Sequence, residues 1–200
     1  MSTTLTSPYR LAVIVASTRD GRFGPTVANW LGTQLDLRDD VDVDVIDLAD
    51  HPLSMNLSSE PGPEDAAALA AVTPRLEQAD AYIVITPEYN HSYPATLKNL
   101  IDRHYTQWRA KPVAFVSYGG LSGGLRAVEH LRPVFAELHA VTIRETISLH
   151  NPWGAFDANG RHLDDSAGTA AENAAKTLLD QLAWWALSLR EARAARPYGQ

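Results

Sequence analysis

The segment that follows the first apolar run contains residue types that bind a phosphate group. Residues 17–26 read Ser-Thr-Arg-Asp-Gly-Arg-Phe-Gly-Pro-Thr. The guanidinium groups of Arg19 and Arg22 can each form two charge-assisted hydrogen bonds to a phosphate. Pro25 is preset for the first turn of a helix, whose free N–H groups attract an anion. The segment matches neither GxGxxG nor the P-loop, which favours a single phosphomonoester. A polar turn with solvated arginines is the alternative.

A second segment, residues 86–94, is rich in aromatic and hydrogen-bonding side chains. It reads Thr-Pro-Glu-Tyr-Asn-His-Ser-Tyr-Pro. Its two prolines favour an extended loop, and Pro94 is suited to open the helix that follows. The side chains suit an aromatic ligand, or else packing on a neighbouring helix or subunit. We expect His91 and Tyr93 either to line the substrate side of such a ligand or to serve in packing.

A third segment, residues 117–124, reads Ser-Tyr-Gly-Gly-Leu-Ser-Gly-Gly. Glycine lets a backbone approach a flat ligand and leaves N–H groups exposed, although a merely flexible loop has the same composition. The segment also contains a G-x-S-x-G pattern around Ser122, which is typical of the nucleophile elbow of α/β-hydrolases, with Asp157 and His162 downstream in the usual order. Ser122 lies several residues beyond the predicted strand, however, whereas an elbow serine lies at the strand–helix turn.

Short apolar runs alternate with helical patterns along the chain, and their length and β-branched content are typical of parallel strands covered on both faces. The predicted strands are Leu11–Ala16, Val43–Leu48 (at a sheet edge, because Val alternates with Asp), Ala81–Thr86, Pro112–Ser117 and Val141–Ser148. The predicted helices between them are Pro25–Leu37, Glu64–Gln78, Pro94–Trp108 and Ser122–Leu138, and a last helix is expected to begin with a capping box at Thr169–Glu172. This alternation predicts a doubly wound α/β fold, in which the three segments meet at the carboxyl edge of the sheet.

Composition limits the cofactors and the partners. The chain has no cysteine, which excludes a disulfide scaffold, a thiolate zinc site and a cysteine nucleophile. No His pair has the spacing of helical metal ligands, so no metal site is expected. The net charge of −7 disfavours nucleic acid and anionic membranes as partners. Residues 1–9 are expected to be a disordered leader without a targeting signal, and residues 10–195 a single cytoplasmic domain.

Taken together, the three segments resemble the NADPH-dependent FMN reductase family over roughly residues 10–148. The resemblance is carried by Ser17-Thr-Arg19, by Thr86-Pro-Glu-Tyr-Asn90 with Pro94 and Leu97-Lys-Asn99, and by Tyr118-Gly-Gly with Gly123-Gly-Leu-Arg126. It implies a flavodoxin-like fold with strand order 2-1-3-4-5 and non-covalently bound FMN. The contacts that it implies for FMN are Ser17, Arg19, Gly24, Pro25, Thr26, Pro87, Glu88, Tyr89, Asn90, Ser117, Tyr118, Gly119, Gly120, Gly123 and Gly124. Arg22 is added to this set because of its charge and its place in the first segment.

The resemblance also implies an activity, because members of the family reduce flavin, quinones, azo dyes or chromate with NAD(P)H. We expect ping-pong hydride transfer from NADPH or NADH through FMN to a small acceptor. Backbone N–H groups of Glu88–Asn90 would meet the N5/O4 edge of the flavin, and those of Gly119–Gly120 its N1/O2 edge. A homodimer or homotetramer, and a monooxygenase partner, are further expectations. The alternatives are a flavodoxin-like electron carrier or non-catalytic flavin-binding protein, and the Ser122 hydrolase.

Overall fold

The computed structural model describes residues 7–157 and 159–199 and contains a five-stranded parallel sheet. The strands are β1 (Tyr9–Val15), β2 (Val41–Asp47), β3 (Ala81–Pro87), β4 (Pro112–Gly119) and β5 (Val141–His150). The helices are α1 (Gly24–Leu35), α2 (Pro63–Gln78), α3 (Ala95–Asp102), α4 (Leu125–Glu137) and α5 (Asp165–Ala195), with 3₁₀ turns at Thr106–Trp108 and Pro152–Gly154.

The central strands are apolar because both of their faces are buried. In β1, Leu11 and Val13 pack on the side of α1 and α5, whereas Ala12 and Ile14 pack on the side of α2, α3 and α4. Successive residues of a strand point to opposite faces, so each apolar run contributes to both cores. The predicted parallel sheet is confirmed.

The strand order is β2-β1-β3-β4-β5, which is the flavodoxin-like order predicted from the family resemblance. Strand β1 pairs with β2 on one side and with β3 on the other. The connection after β1 therefore leads toward one edge of the sheet and the connection after β3 leads toward the other. A crevice forms between the loops at the carboxyl ends of these two strands. The edge position predicted for the Asp-rich second strand is also confirmed.

The predicted helix Pro94–Trp108 is wrong in its second half. Helix α3 ends at Asp102, and a separate 3₁₀ turn contains Trp108. The indole of Trp108 is fully buried, and its Nε1 donates to the carbonyl of Ile101 at 3.4 Å. The chain must turn back after α3 to bury this ring, so a continuous helix is excluded.

The predicted capping box at Thr169–Glu172 is also wrong. Helix α5 begins at Asp165, and the carboxylate of Asp164 accepts hydrogen bonds from the N–H groups of Ser166 and Ala167. The hydroxyl of Thr169 donates to the carbonyl of Asp165 at 2.8 Å. Asp164 is therefore the N-cap, and Thr169 lies inside the helix.

The first strand begins inside the predicted leader. Residues 1–6 of that leader lie outside the described residues, whereas Tyr9 is buried in β1 and its N–H donates to the carbonyl of Asp40 at 3.0 Å. Strand β1 thus begins one residue before the predicted boundary at residue 10. Among the helices of residues 7–157 and 159–199, none is both long and apolar enough to cross a membrane.

Candidate functional site

The loops after β1, β3 and β4 meet at the carboxyl edge of the sheet and line a small open cleft of about 120 Å³. Residues from all three predicted segments take part. The lining residues are Ser17, Arg19, Gly21, Arg22, Phe23, Pro87, Glu88, Tyr89, Tyr118, Gly119, Gly120 and Trp153. The structure thus brings together most of the residues proposed for cofactor contact.

The two arginines of the first loop have different surroundings. Arg22 Nη1 lies 2.5 Å from Asp47 Oδ1 and 2.9 Å from the carbonyl oxygen of Ser17. The hydrogen bond to Asp47 raises the pKa of Arg22. Arg19 is exposed and lies over the ring of Tyr89, 5.4 Å from its centroid, and no carboxylate of the described residues lies within ion-pair distance. Arg19 is the arginine whose charge is available to an anion.

The first and second loops are joined by a hydrogen bond between hydroxyl groups. Ser17 is fully buried, and its Oγ lies 2.7 Å from the hydroxyl oxygen of Tyr89. The phenol of Tyr118 is also buried, and it has no hydrogen-bond partner among the described residues. Burial raises the pKa of Tyr118, so this hydroxyl is a donor at neutral pH.

Helix α1 begins beside this cleft without a capping side chain. Its first residues are Gly24, Pro25 and Thr26, and the preceding Phe23 makes no cap hydrogen bond. A Cβ on Gly24 would lie 2.9 Å from Val15 Cγ1, so glycine is what allows the helix to start this close to β1. The N–H groups of a first turn without a cap carry a partial positive charge.

The second loop contains a tight turn that directs two predicted residues away from the cleft. Tyr89 and Ser92 exchange backbone hydrogen bonds of 2.8 and 3.1 Å, and between them Asn90 and His91 have φ values of 48° and 75°. The His91 ring lies 5.9 Å from that of His130, and Tyr93 packs partly on the core. Neither His91 nor Tyr93 lines the cleft.

The glycines of the third loop have two distinct roles. Gly123 and Gly124 are buried with positive φ, and a Cβ on them would lie 2.4 Å from Ser148 Oγ and 2.5 Å from Ser117 Cβ, respectively. The hydroxyl of Ser117 donates to the Gly123 carbonyl at 2.9 Å. These three residues shape the loop. A Cβ on Gly120 would meet only Asn151 Oδ1, at 3.7 Å, so the backbone at Gly120 is open to a ligand.

The geometry does not support a hydrolase at Ser122. The Ser122 hydroxyl donates to Glu88 Oε2 at 2.5 Å, so it faces a carboxylate rather than an imidazole base. Asp157 accepts backbone N–H groups of its own turn, and His162 packs on the ring of Phe156 with centroids 4.4 Å apart. The three residues do not form a catalytic triad.

Sequence reasoning missed three lining residues: Gly21, Phe23 and Trp153. Trp153 is 57% exposed and follows the carboxyl end of β5. Asn151, with φ 45°, anchors this segment because its N–H donates to the Gly119 carbonyl at 2.8 Å. The available signal was the position of Trp153 after the fifth strand, since that strand ends at the same edge as the other loops.

The loop after β2 is attached to α3 and lies apart from the cleft. Asn99 Nδ2 donates to the carbonyls of Leu53 and Ser54 at 3.1 and 3.0 Å, and Arg103 forms a buried 2.9 Å ion pair with Asp65. A larger cavity of about 990 Å³ lies between this loop and α2. The described residues that line it include four acids and no Lys or Arg, so this cavity is unsuited to a phosphate.

A parallel sheet of this order, with a cleft where its strand order reverses, defines a flavodoxin-like nucleotide-binding class of protein. The chain belongs to the NADPH-dependent FMN reductase family, whose model matches residues 9–154. The family and the fold predicted from the sequence are therefore confirmed.

Individual relatives agree with this assignment, and a solved structure agrees with the fold. The chain is 38% identical over 125 residues to an NAD(P)H-dependent FMN reductase of Schizosaccharomyces pombe, a match that covers 58% of this chain and 60% of that protein. It is 30% identical to a 2-hydroxy-1,4-benzoquinone reductase of Burkholderia sp, covering 88% and 95%. Its fold matches the flavoenzyme NAD(P)H:(acceptor) oxidoreductase FerB of Paracoccus denitrificans with a TM-score of 0.69 at 24% identity, covering 90% and 98%. The match to the Schizosaccharomyces pombe protein spans less than two thirds of that protein's length.

Proposed function

We propose that this protein is an FMN-dependent NAD(P)H oxidoreductase that passes a hydride from NADPH or NADH through bound FMN to flavin, quinone or a similar small acceptor. The proposal rests on the cleft at the carboxyl edge of the sheet, in a chain that belongs to the NADPH-dependent FMN reductase family. One wall supplies the unpaired charge of Arg19, and the other supplies the open backbone at Gly120. The names of the yeast and Burkholderia relatives support the choice of acceptors.

The donors around the cleft fit a flavin phosphate. An anion there would meet the guanidinium of Arg19 and the first-turn N–H groups of α1, which have no side-chain cap. Both are favourable partners for a phosphomonoester. The Tyr118 hydroxyl, buried without a partner, is the kind of group that a ligand or an ordered water satisfies. Arg22 contributes by holding the turn through Asp47 and the Ser17 carbonyl.

FMN supplies the hydride and electron chemistry when bound, and the chain binds and orients it. Of the backbone N–H groups proposed for the N5/O4 edge, that of Glu88 donates to Tyr118 O at 3.0 Å and that of Tyr89 donates to Ser92 O at 2.8 Å. Those two groups are therefore already engaged. The N–H of Asn90 is the remaining candidate for that edge, and the N–H of Gly120 is a candidate for the N1/O2 edge.

The assembly and the location belong to the same proposal. We expect a homodimer or homotetramer in the cytoplasm, and we expect the reduced flavin to serve a separate monooxygenase. The exposed side chains of Leu121 and Trp184, at 88% and 62% exposure, are apolar surface that an oligomer would cover. Light scattering coupled to size-exclusion chromatography measures the mass, and a monomer would contradict this part.

The decisive experiment is a flavin titration followed by anaerobic reduction. The purified protein should be yellow or should take up added FMN with quenching of flavin fluorescence. Addition of NADPH or NADH without oxygen should then bleach the flavin absorbance, and a quinone should restore it. A colourless protein that takes up no added FMN would refute the proposal. A yellow protein that neither nucleotide reduces would favour the electron-carrier alternative instead.

A further inference from the structure

The carboxylate of Glu88 connects two walls of the cleft. Its Oε2 accepts hydrogen bonds from Ser122 Oγ at 2.5 Å and from the backbone N–H of Arg126 at 3.2 Å, and its Oε1 accepts one from Arg126 Nη1 at 3.1 Å. Glu88 belongs to the loop after β3, whereas both partners belong to the loop after β4 and the start of α4. One side chain therefore fastens the second loop to the third.

Glu88 also supplies the cap that α4 lacks in its own sequence. The N-cap of α4 is Gly124, which has no side chain and adopts φ 88°. A Cβ on Gly124 would lie 2.5 Å from Ser117 Cβ, so a capping Ser or Asp is excluded at this position. A carboxylate at a helix N-terminus satisfies free N–H groups and interacts favourably with the helix dipole. Glu88 provides this carboxylate from the neighbouring loop.

The interaction also balances charge at the edge of the cleft. The Glu88 side chain is 8% exposed, whereas that of Arg126 is 41% exposed. Burial alone would raise the pKa of Glu88, but the hydrogen bonds from Ser122 and Arg126 outweigh it and lower the pKa. Glu88 is therefore ionised at neutral pH and neutralises the guanidinium of Arg126.

We propose that Glu88 is a positioning residue for the flavin: it sets the separation of the two loops that border the ring, and it cancels the charge of Arg126 beside the cleft. The inference rests on the proposed function, because it concerns FMN in the same cleft. It differs from the sequence-based expectation, in which the backbone N–H of Glu88 contacts the flavin. Its side chain acts instead through Ser122 and Arg126.

The charge part of the proposal is tested with paired variants that move the flavin midpoint potential in opposite directions. Reduced flavin carries more negative charge than oxidised flavin, so nearby charge tunes its potential. Glu88→Gln leaves Arg126 without its counter-ion and should shift the potential to more positive values. Arg126→Met leaves the carboxylate without its partner and should shift it to more negative values. The double variant should return close to the wild-type potential.

The positioning part is tested by FMN affinity. Glu88→Ala removes the charged acceptor and should raise the FMN dissociation constant about tenfold or more, while Glu88→Gln, which keeps an acceptor oxygen, should recover part of the affinity. The matched control is Glu129→Gln on helix α4. The Glu129 side chain is 77% exposed, and its Oε1 lies 3.8 Å from Arg132 Nε, which is beyond hydrogen-bond distance. This substitution should change neither the affinity nor the potential.

The outcomes separate this inference from the proposed function. If the wild-type protein binds FMN and is reduced by NAD(P)H, but the two charge variants shift the potential in the same direction or not at all, the inference is wrong and the function stands. Unchanged FMN affinity in Glu88→Ala would likewise overturn it. A wild-type protein that binds no FMN overturns both, and the flavin titration alone reveals that case.

Discussion

Arg22 forms an ion pair with Asp47, with 2.5 Å between Nη1 and Oδ1, and this contact ties the loop after β1 to the end of β2. Both side chains are 19% exposed. Arg19, in the same loop, has no such partner among the described residues and lies over Tyr89. Arg22 therefore stabilises the loop, whereas the charge of Arg19 is available to a ligand. Measurements of stability and of FMN affinity can separate these two roles.

Replacement of Arg19 should weaken FMN binding without unfolding the protein. Arg19→Ala should cost about 1.5–3 kcal/mol of FMN binding free energy, the usual range for a hydrogen bond to a charged group. Riboflavin, which lacks the phosphate, should bind the variant and the wild type equally. Fluorescence titration with both ligands checks this. An equal loss for both ligands would remove Arg19 from the phosphate site.

Replacement of Arg22 should act mainly on stability. Arg22→Ala removes the partner of a half-buried carboxylate and the donor to the Ser17 carbonyl, so the free energy of unfolding should fall by about 1–3 kcal/mol. Urea denaturation of the apoprotein measures this, with Arg19→Ala as the control that should remain near wild type. If Arg19→Ala proved the less stable of the two, the assignment of roles would be reversed.

Trp153 should contribute to ligand affinity although it adds little to the core. Its ring is 57% exposed and lines the cleft, and aromatic contacts are worth about 0.5–1.5 kcal/mol. Trp153→Ala should therefore raise the FMN dissociation constant about two- to tenfold. Tyr198→Ala is the matched control, because this aromatic side chain is 49% exposed and does not line the cleft. Equal effects of the two variants would argue against a contact at Trp153.

Gly160 should be essential for the packing of the segment that carries Trp153. It has φ 82°, and a Cβ there would lie 2.6 Å from Trp30 N and 2.8 Å from Thr26 O. Gly160→Ala should destabilise the protein by at least about 2 kcal/mol, because it combines left-handed backbone with a steric clash. Gly154→Ala, whose Cβ would meet nothing within 4 Å, should be nearly neutral in the same urea experiment. Similar stabilities of the two variants would contradict this packing.

Deprotonation of Lys111 in the folded protein should make the free energy of unfolding increase above about pH 8. Its Nζ donates to the carbonyls of Leu76 and Glu77 at 3.0 and 2.9 Å. Burial, with repulsion from Arg193, lowers the pKa of Lys111 to about 8 from its ordinary 10.5. Between these values the unfolded chain binds more protons than the folded one, so the free energy of unfolding should rise with pH.

The control for this pH effect is Lys111→Met, which cannot titrate. Urea denaturation of both proteins from about pH 7 to 9.5 should show the wild type gaining stability relative to the variant above about pH 8. A stability difference between the two proteins that does not change with pH would show that Lys111 keeps its proton throughout this range.

The apolar runs and the loop compositions were sufficient to predict the sheet. The residues of β1 are apolar at successive positions because both faces are covered, and this pattern is local. The end of α3 was not predictable in the same way, because burial of Trp108 against the carbonyl of Ile101 decides it. The start of α5 was missed because Asp164 competes with Thr169 as the N-cap.

By itself, the sequence determined the parallel sheet, the edge at which the loops meet and the family to which the chain belongs, because each depends on residues close together in the chain. Only the tertiary structure decided which arginine is free, what the Glu88 carboxylate holds and that Trp153 lines the cleft. The partners concerned lie far apart in sequence, 25 residues for Arg22 and Asp47 and 34 for Glu88 and Ser122. Ion pairs and hydrogen bonds at such separations form only after the strands are aligned, so no local pattern encodes them.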